Sequence, residues 1–358
     1  MNYRKIPYKK LKQISVNVFQ WYGYSLAEAE IITDVMLEAD LCGIESHGIQ
    51  RLVLYAHGLN INRIKLKADM KIVKETPVSA VFDADDGMGQ IAAYKAMELA
   101  IKKAKESGIG WVTVRNSNHF GIAGYYSRMA EKENLMGMCM TNTQALVVPT
   151  FGRQPLLGTN PIAVSMPASP YPFHLDMSTS VVTGGKMEVY AKLGKEAPQG
   201  WAVDEKGLVN TDAQTFVGNR GKTSGGLLPL GGFGEIYGGH KGYGLSSMVE
   251  LMTGIMSGGV VSAYVRKTDN VERCSHMFMA LDYGMFTEDK AQMEKQLSDF
   301  LEMLRRSEKV DGQERIYTHG EKELSYREAI LQEGIPVNKA TYDEIMSICK
   351  KCDVSFSI

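Results

Sequence analysis

The 358-residue chain has almost no net charge: 40 lysines and arginines stand against 41 aspartates and glutamates. That balance leaves no electrostatic footprint for nucleic acid or an anionic membrane surface. Local basic clusters at 102–105 and 305–309 have acidic neighbours and read as solvated helix faces. Long apolar runs are missing too. No stretch approaches the ~18 apolar residues that cross a bilayer, and the most apolar helix candidate, 248–256, is interrupted by Glu250 and by glycine and serine. The first twenty residues are basic without the apolar core of a secretory leader. The expectation is a cytoplasmic protein with no membrane and no nucleic-acid partner. Cysteine is sparse and odd in number, at 42, 139, 274, 349 and 352, which argues against a secreted disulfide framework. Cys349 and Cys352 form a C-x-x-C in a helix-like run without a second ligand pair nearby, so no metal is expected there.

What is present is the make-up of a globular chain, 44% apolar and 23% charged. Its length calls for two or three structural units. The first hundred residues read mainly as helix. Ser25-Leu-Ala-Glu28 is a capping box, and Ile31, Ile32, Val35, Met36 and Ala39 keep a helical period until Gly43 stops it. A second helix is expected over 49–60, and the link 43–48 should form a tight exposed turn. Strands are expected over 78–82, 110–114, 136–140, 162–166, 173–176 and 275–282, with helices over 90–106 and from about 122. A glycine-rich stretch, 221–244, precedes a helix over 243–256. The remainder, 288–306 and 325–352, reads as helix with a polar break around 311–321. These element types predict an α/β chain in which helical segments 1–75 and 287–358, having no strand partners of their own, pack together beside a central sheet and cofactor domain, 76–286.

Two glycine motifs invite a nucleotide reading and fail. Gly87-Met-Gly89-Gln-Ile-Ala92 matches G-x-G-x-x-A between a strand and a helix. Asp83, Asp85 and Asp86 stand just before it, where they would repel a pyrophosphate, and no acidic residue closes the next strand, where a ribose partner belongs. A turn with close packing is the better reading. Gly218-Asn-Arg-Gly-Lys222-Thr223 lacks the spacing of a phosphate loop and reads as a surface turn.

Four other segments carry chemistry. Ser46-His47-Gly48, with Arg51 beyond, sets a group that titrates near neutrality beside a planar cation able to clamp a carboxylate. A capping histidine with a surface arginine would leave the same trace. His119, in Asn116-Ser-Asn-His119-Phe-Gly121, lies in a loop between strand and helix, where the helix's positive end would favour the neutral ring. Loop stabilisation is the alternative. His174-Leu-Asp176-Met-Ser178-Thr179-Ser180 ends a strand in a carboxylate and hydroxyls, and Asp176 could orient a histidine. Gly238-Gly-His240-Lys241-Gly-Tyr-Gly244 opens a helix with glycines and a cation, which suits a pyrophosphate.

With these segments in one order on one chain, the sequence resembles the malate/L-lactate dehydrogenase family of NAD(P)-dependent oxidoreductases that do not use a Rossmann fold. That family also holds sulfolactate, ureidoglycolate and diketogulonate dehydrogenases and a cyclic-imine carboxylate reductase. The resemblance rests on 39–51, 117–126, Leu157-Gly-Thr-Asn160-Pro161, Leu175-Asp176-Met-Ser-Thr, 239–244 and Gly320-Glu321, and covers nearly the whole chain. It implies a homodimer with a central, largely non-parallel sheet. It implies NAD or NADP as cofactor, with NAD favoured, and a small (S)-2-hydroxy acid such as malate, lactate or sulfolactate as substrate. By the same resemblance His47, His119 and Asp176 are the catalytic set, with Asp176 as the orienting partner of His47. Ser46, Arg51, Thr143 and Asn160 would touch the substrate. Asp176, Met177, Ser178, Thr179, Lys186, His240, Lys241, Gly320 and Glu321 would touch the cofactor. The 141–146 loop departs from the ureidoglycolate branch, while the imine reductase stays open as an alternative. Rival classes are a metabolite sensor that has lost turnover and a metal-dependent hydrolase built on His47, His119 and Asp176.

Overall fold

Pairing of the two chain ends starts the architecture. The computed structural model describes residues 3–219, 224–266 and 271–356; Arg220, Lys222 and Thr223 of the surface turn read from the sequence lie outside them. Strand β1 (Tyr3–Ile6) leads into helices α1 (Tyr8–Tyr22) and α2 (Leu26–Leu41). The capping box forms: Ser25 Oγ accepts from the Glu28 N–H at 3.3 Å, and Glu28 Oε2 accepts from the Ser25 N–H at 3.0 Å. Such a cap stabilises a helix by about 1 kcal/mol. After α2 come two single 3-10 turns, Glu45–His47 and Ile49–Arg51, and only then α3 (Leu52–Asn60). The helix expected from 49 thus starts later, because the Asp40 carboxylate takes the Ile49 N–H (2.7 Å) and pins the turn to α2.

The central unit runs β2 (Lys71–Glu75), β3 (Ser79–Asp83), α4 (Gly89–Ser107), β4 (Ile109–Ser117), α5 (Ala123–Glu131), β5 (Met136–Thr141), β6 (Ile162–Met166) and β7 (Phe173–Met177). Beyond it lie α6 (Gly184–Lys192), β8 (Ala202–Val203), β9 (Val209–Asn210), α7 (Ala213–Gly218), β10 (Gly226–Leu227), α8 (Gly239–Glu250) and β11 (Cys274–Leu281). The chain closes with α9 (Lys290–Arg306), α10 (Glu321–Glu333), β12 (Ile335–Asn338) and α11 (Lys339–Lys351). Among the described residues one sheet has seven strands in the order β2-β3-β4-β11-β5-β6-β7. The β3–β4 pair is parallel and the other neighbours in it are antiparallel. The expected non-Rossmann mixed sheet is therefore the one found. Strand β11 at its centre is buried along nearly all its length, as its continuous apolar run requires. Edge strand β2 is exposed at every position, which is why its sequence carries no alternation to read.

Small residues let helices lie close on this sheet. Ala92, Ala93, Ala96, Ala100 and Ala104 of α4 join one core with Val112, Val114, Phe278 and Ala280. A Cβ at Gly110 would overlap the Ala100 carbonyl. A second core, with Met187, Ala191, Ala202, Phe216 and Leu227, holds the small sheet β10-β8-β9 against α6 and α7. Its two-residue strands are too short to leave a periodic signal.

The C-terminal region differs from the sequence expectation. Strand β12 interrupts the helical run and pairs antiparallel with β1, from Tyr3↔Asn338 to Ile6↔Ile335. A four-residue strand containing Pro336 between two helices has no alternation long enough to see. Ile6, Leu11, Phe19, Ile335, Val337 and Ile345 share one core, and the thiols of Cys349 and Cys352 are buried in it. Helix α8 starts at Gly239 rather than 243 and continues through a π turn, Leu251–Ile255. Among the described residues no helix is long and apolar enough to cross a membrane.

Candidate active site

The turn that carries His47 is built from below by α2. Asp40 is buried, its carboxyl held well above the usual carboxylate range by desolvation, and its oxygens occupy the space a side chain at Gly48 would need. Only glycine fits there. Ser46 Oγ lies 2.8 Å from His47 Nδ1, and Arg51 Nε donates to the Ser46 carbonyl at 2.7 Å. His47, Ser46 and Arg51 therefore form one rigid corner where two helices meet.

His119 is positioned by the motif that was set aside as a nucleotide fingerprint. Asn118 Nδ2 donates to the carbonyls of Asp86 and Gly87, both at 2.8 Å. Any Cβ at Gly89 would overlap the carbonyls of Asn118 and His119. The glycines of 87–92 thus seat the His119 loop on the start of α4. Phe120, beside His119, stacks on buried His276 with centroids 4.6 Å apart. Tyr55 OH lies 2.9 Å from His119 Nδ1, and the Gly121 N–H points to the same nitrogen at 3.4 Å. An amide N–H can only donate, so Nδ1 is the acceptor and Nε2 carries the ring proton of neutral His119.

The two loops bring the imidazoles face to face, centroids 5.6 Å apart and planes 20° from parallel. Both line one open cleft with Arg51, Thr143, Glu188 and Arg266. Arg51 Nη1 meets Glu188 Oε2 at 2.7 Å. Desolvation first, then the Arg51 charge, holds His47 well below the ordinary histidine value and pushes His119 down to about 3. The start of α5, expected to act on His119, also meets a carboxyl group. Asp176 Oδ2 accepts from the Gly124 N–H at 2.7 Å. The structure thus gives His47 Nδ1 to Ser46 and Asp176 to helix α5, rather than joining the two as expected.

Asn160, expected at the substrate, is fully buried behind the cleft. Its Nδ2 donates to Glu250 Oε1 at 2.8 Å and to the Ser246 carbonyl at 3.1 Å. Glu250 also accepts from Asn142 Nδ2 and from the Ser262 N–H. Four chain segments meet on this one carboxylate, which fixes the loop carrying Thr143. Thr143 Oγ1 itself accepts from the Thr159 N–H at 3.1 Å.

The residues expected at the cofactor fall into four places. Asp176 and Gly320 share a cavity with His174, Thr318, His319 and Lys322. Gly320 adopts φ 98°, and a Cβ there would press on His174, so the corner before α10 docks on β7. Glu321 beside it is saturated by Thr318, Arg305 and Arg315, which pull its carboxyl down to about 2 against its own desolvation. That side chain holds the corner together, with three hydrogen bonds on Oε1 and one on Oε2. Met177 ends β7 and Ser178 and Thr179 follow it, with Thr179 buried and its Oγ1 donating to the Asn160 carbonyl at 3.0 Å. Lys186 is exposed on the first turn of α6, where Thr183 caps its N–H. His240 and Lys241 are exposed at the start of α8. Tyr55, Glu188, Gln144 and Arg266 were not singled out from the sequence. Tyr55 reads there as one more apolar position on a helix face, and the others lie in segments with no motif.

The sequence profile of the malate/L-lactate dehydrogenase family matches residues 6–346. The malate dehydrogenase of Pyrococcus abyssi is 45% identical over 355 residues, covering 99% of this chain and 96% of that one. The L-sulfolactate dehydrogenase of Methanocaldococcus jannaschii is 37% identical, covering 95% of each. The crystal structure of malate dehydrogenase from Entamoeba histolytica superposes with a TM-score of 0.96 at 33% identity, covering 100% of both chains.

Proposed function

Because the chain belongs to the malate/L-lactate dehydrogenase family, we propose that it interconverts a small (S)-2-hydroxy acid and its 2-oxo acid at the cleft of His47 and His119. It is an oxidoreductase of that family, whose membership implies a nicotinamide cofactor and a small carboxylate substrate. The observation that carries the proposal is the stacked imidazole pair beside a guanidinium in one open cleft.

Arg51 takes the substrate carboxylate. Its Nε is fixed on the Ser46 carbonyl and its Nη1 on Glu188, so the fork has a set direction. A close approach to Gly185, where a Cβ would strike Arg51 Nη2, keeps room for that fork. His119 donates its Nε2–H to the substrate C2 oxygen. His47, whose Nδ1 partner is a hydroxyl able to donate or accept, carries the proton that this oxygen gains or loses. Anionic substrate beside both rings favours their protonated forms and offsets the lowering by Arg51.

The residues present fit a nicotinamide dinucleotide. Gly121 lines the cleft, and Gly124, one turn further on, meets Asp176, so the start of α5 connects the reacting centre to the Asp176 cavity. Asp176 can accept from ribose hydroxyls, and two carboxyl groups, Asp176 and Glu323, against one ammonium, Lys322, in the same cavity support NAD over NADP. Lys241 and the N–H groups opening α8 suit the pyrophosphate. When bound, the nicotinamide exchanges hydride with substrate C2.

We also propose a cytoplasmic homodimer. Leu251 and Ile255, one turn apart, and Met256 are each more than half exposed, as is Tyr264. An apolar patch of that kind suits a subunit contact. Light scattering should give twice the chain mass, and a monomer would reject the contact. The activity itself is tested by following nicotinamide absorbance with NADH and NADPH against a panel of 2-oxo acids. No turnover on any of them would reject the function.

A further inference from the structure

The cleft contains a second guanidinium besides Arg51. Arg266 lines the same cavity, and its backbone is left-handed, φ 60°. A non-glycine residue holds that conformation only where its surroundings fix it. Here its own N–H donates to the Glu272 carbonyl at 3.0 Å. The side chain has partners of two kinds. Nη2 meets Glu272 Oε2 at 2.7 Å, whereas Nη1 donates to the neutral Gln144 Oε1 at 3.0 Å. Nε is buried and has no hydrogen-bond partner. A guanidinium offers five N–H groups, so one carboxylate and one amide leave its capacity partly unused.

We propose that Arg266, with Gln144, is a second anion subsite that makes the cleft selective for dianionic 2-oxo acids over monocarboxylates. The distal group would be a carboxylate or a sulfonate. The inference rests on the reading of the cleft as the substrate site with Arg51 on the C1 carboxylate. Arg51 and the two histidines then account for C1 and C2, and the distal group of a short substrate reaches past them to Arg266. Gln144 is the exchangeable partner. An anionic oxygen replacing its amide oxygen on Nη1 forms a charge-assisted bond, roughly twice as strong as the neutral one. Glu272 stays on Nη2 and keeps the fork aimed. A monocarboxylate has nothing to offer Arg266 and leaves it as it was.

The test compares oxaloacetate with pyruvate as substrates for the wild-type enzyme, Arg266→Gln, Arg266→Lys and Arg51→Gln. Wild type should favour oxaloacetate in kcat/KM by about 100-fold or more. Arg266→Gln should collapse that ratio, with the loss carried by KM for oxaloacetate. Arg266→Lys keeps a cation for Glu272 but lacks the fork, and should give an intermediate ratio. Wild type using both substrates equally well overturns the inference even where Arg266→Gln fails to fold. Parallel losses on both substrates in the Arg266 variants also overturn it, since they mark a structural role. Arg51→Gln should lose both substrates. If it spares both, or if wild type reduces neither, the reading of the cleft falls and the inference falls with it.

Discussion

His47 and His119 stack 5.6 Å apart although 72 positions separate them in the chain. At that spacing two charged rings repel, so the pair carries one positive charge at most near neutral pH. Each ring has its Nδ1 on a hydroxyl, Ser46 for His47 and Tyr55 for His119. The difference between them is the Gly121 N–H, which biases His119 towards a fixed donor.

Replacing the proton carrier should therefore cost more than replacing the donor. His47→Gln is expected to lower kcat by about 10²–10⁴-fold and to remove the histidine limb of the pH–rate profile. His119→Gln can still donate a hydrogen bond and should lose less while keeping the pH limb. Steady-state rates across pH decide between them, and the opposite pattern would exchange the two roles.

Tyr55→Phe removes the hydroxyl on His119 Nδ1 and leaves the ring packing unchanged. Loss of such an orienting partner costs about 10–100-fold in kcat, with a stability loss of only about 1 kcal/mol. A melting temperature that collapses together with activity would mark Tyr55 as structural instead.

Gly124 lies between His174 and Asp176, and a Cβ would meet both side chains closer than 3 Å. Gly124→Ala should destabilise the fold by about 1–3 kcal/mol through overpacking. It should also weaken NADH binding in a fluorescence titration, because the same contact sets the Asp176 cavity. Unchanged binding would separate that cavity from the cofactor site. Lys241→Ala, exposed at the start of α8, should weaken NADH binding without loss of stability.

Acid should destabilise the protein earlier than its near-neutral charge suggests. Burial pushes His119 and His276 down to about 3 and His174 down to about 4. In the unfolded chain these rings take up protons below about pH 6.5, and the folded chain does not. Their contribution is fully present above that value and is lost as pH falls towards 3. Asp176, raised to about 6 by burial, acts in the opposite sense. It stays protonated in the folded chain below that value and adds stability as pH falls through the window between 6 and its ordinary 3.8. The raised Asp40 acts in the same sense, and with His47 also lowered the four histidines outnumber these two carboxyls. The melting temperature should fall between about pH 7 and about pH 5; a flat profile would contradict the burial of these rings.

The sequence by itself determined the strong local features. The Ser25 cap, the apolar strand expected over 275–282 and the helix expected over 90–106 follow from short-range chemistry that folding leaves intact. So does the rejection of Gly87–Ala92 as a dinucleotide loop, and the structure supplies its reason: Gly89 is needed because the His119 loop rests on it. What lacks periodicity stayed hidden, namely the edge strand β2, the two-residue strands and β12. Tertiary structure alone decided how the site is assembled. It paired His47 with Ser46 rather than Asp176, buried Asn160 on Glu250, saturated Glu321, and brought Tyr55 and Arg266 to His119. These are contacts between residues distant in sequence, chosen by which buried polar group each donor can reach once the sheet and helices are packed, and no local pattern encodes that choice.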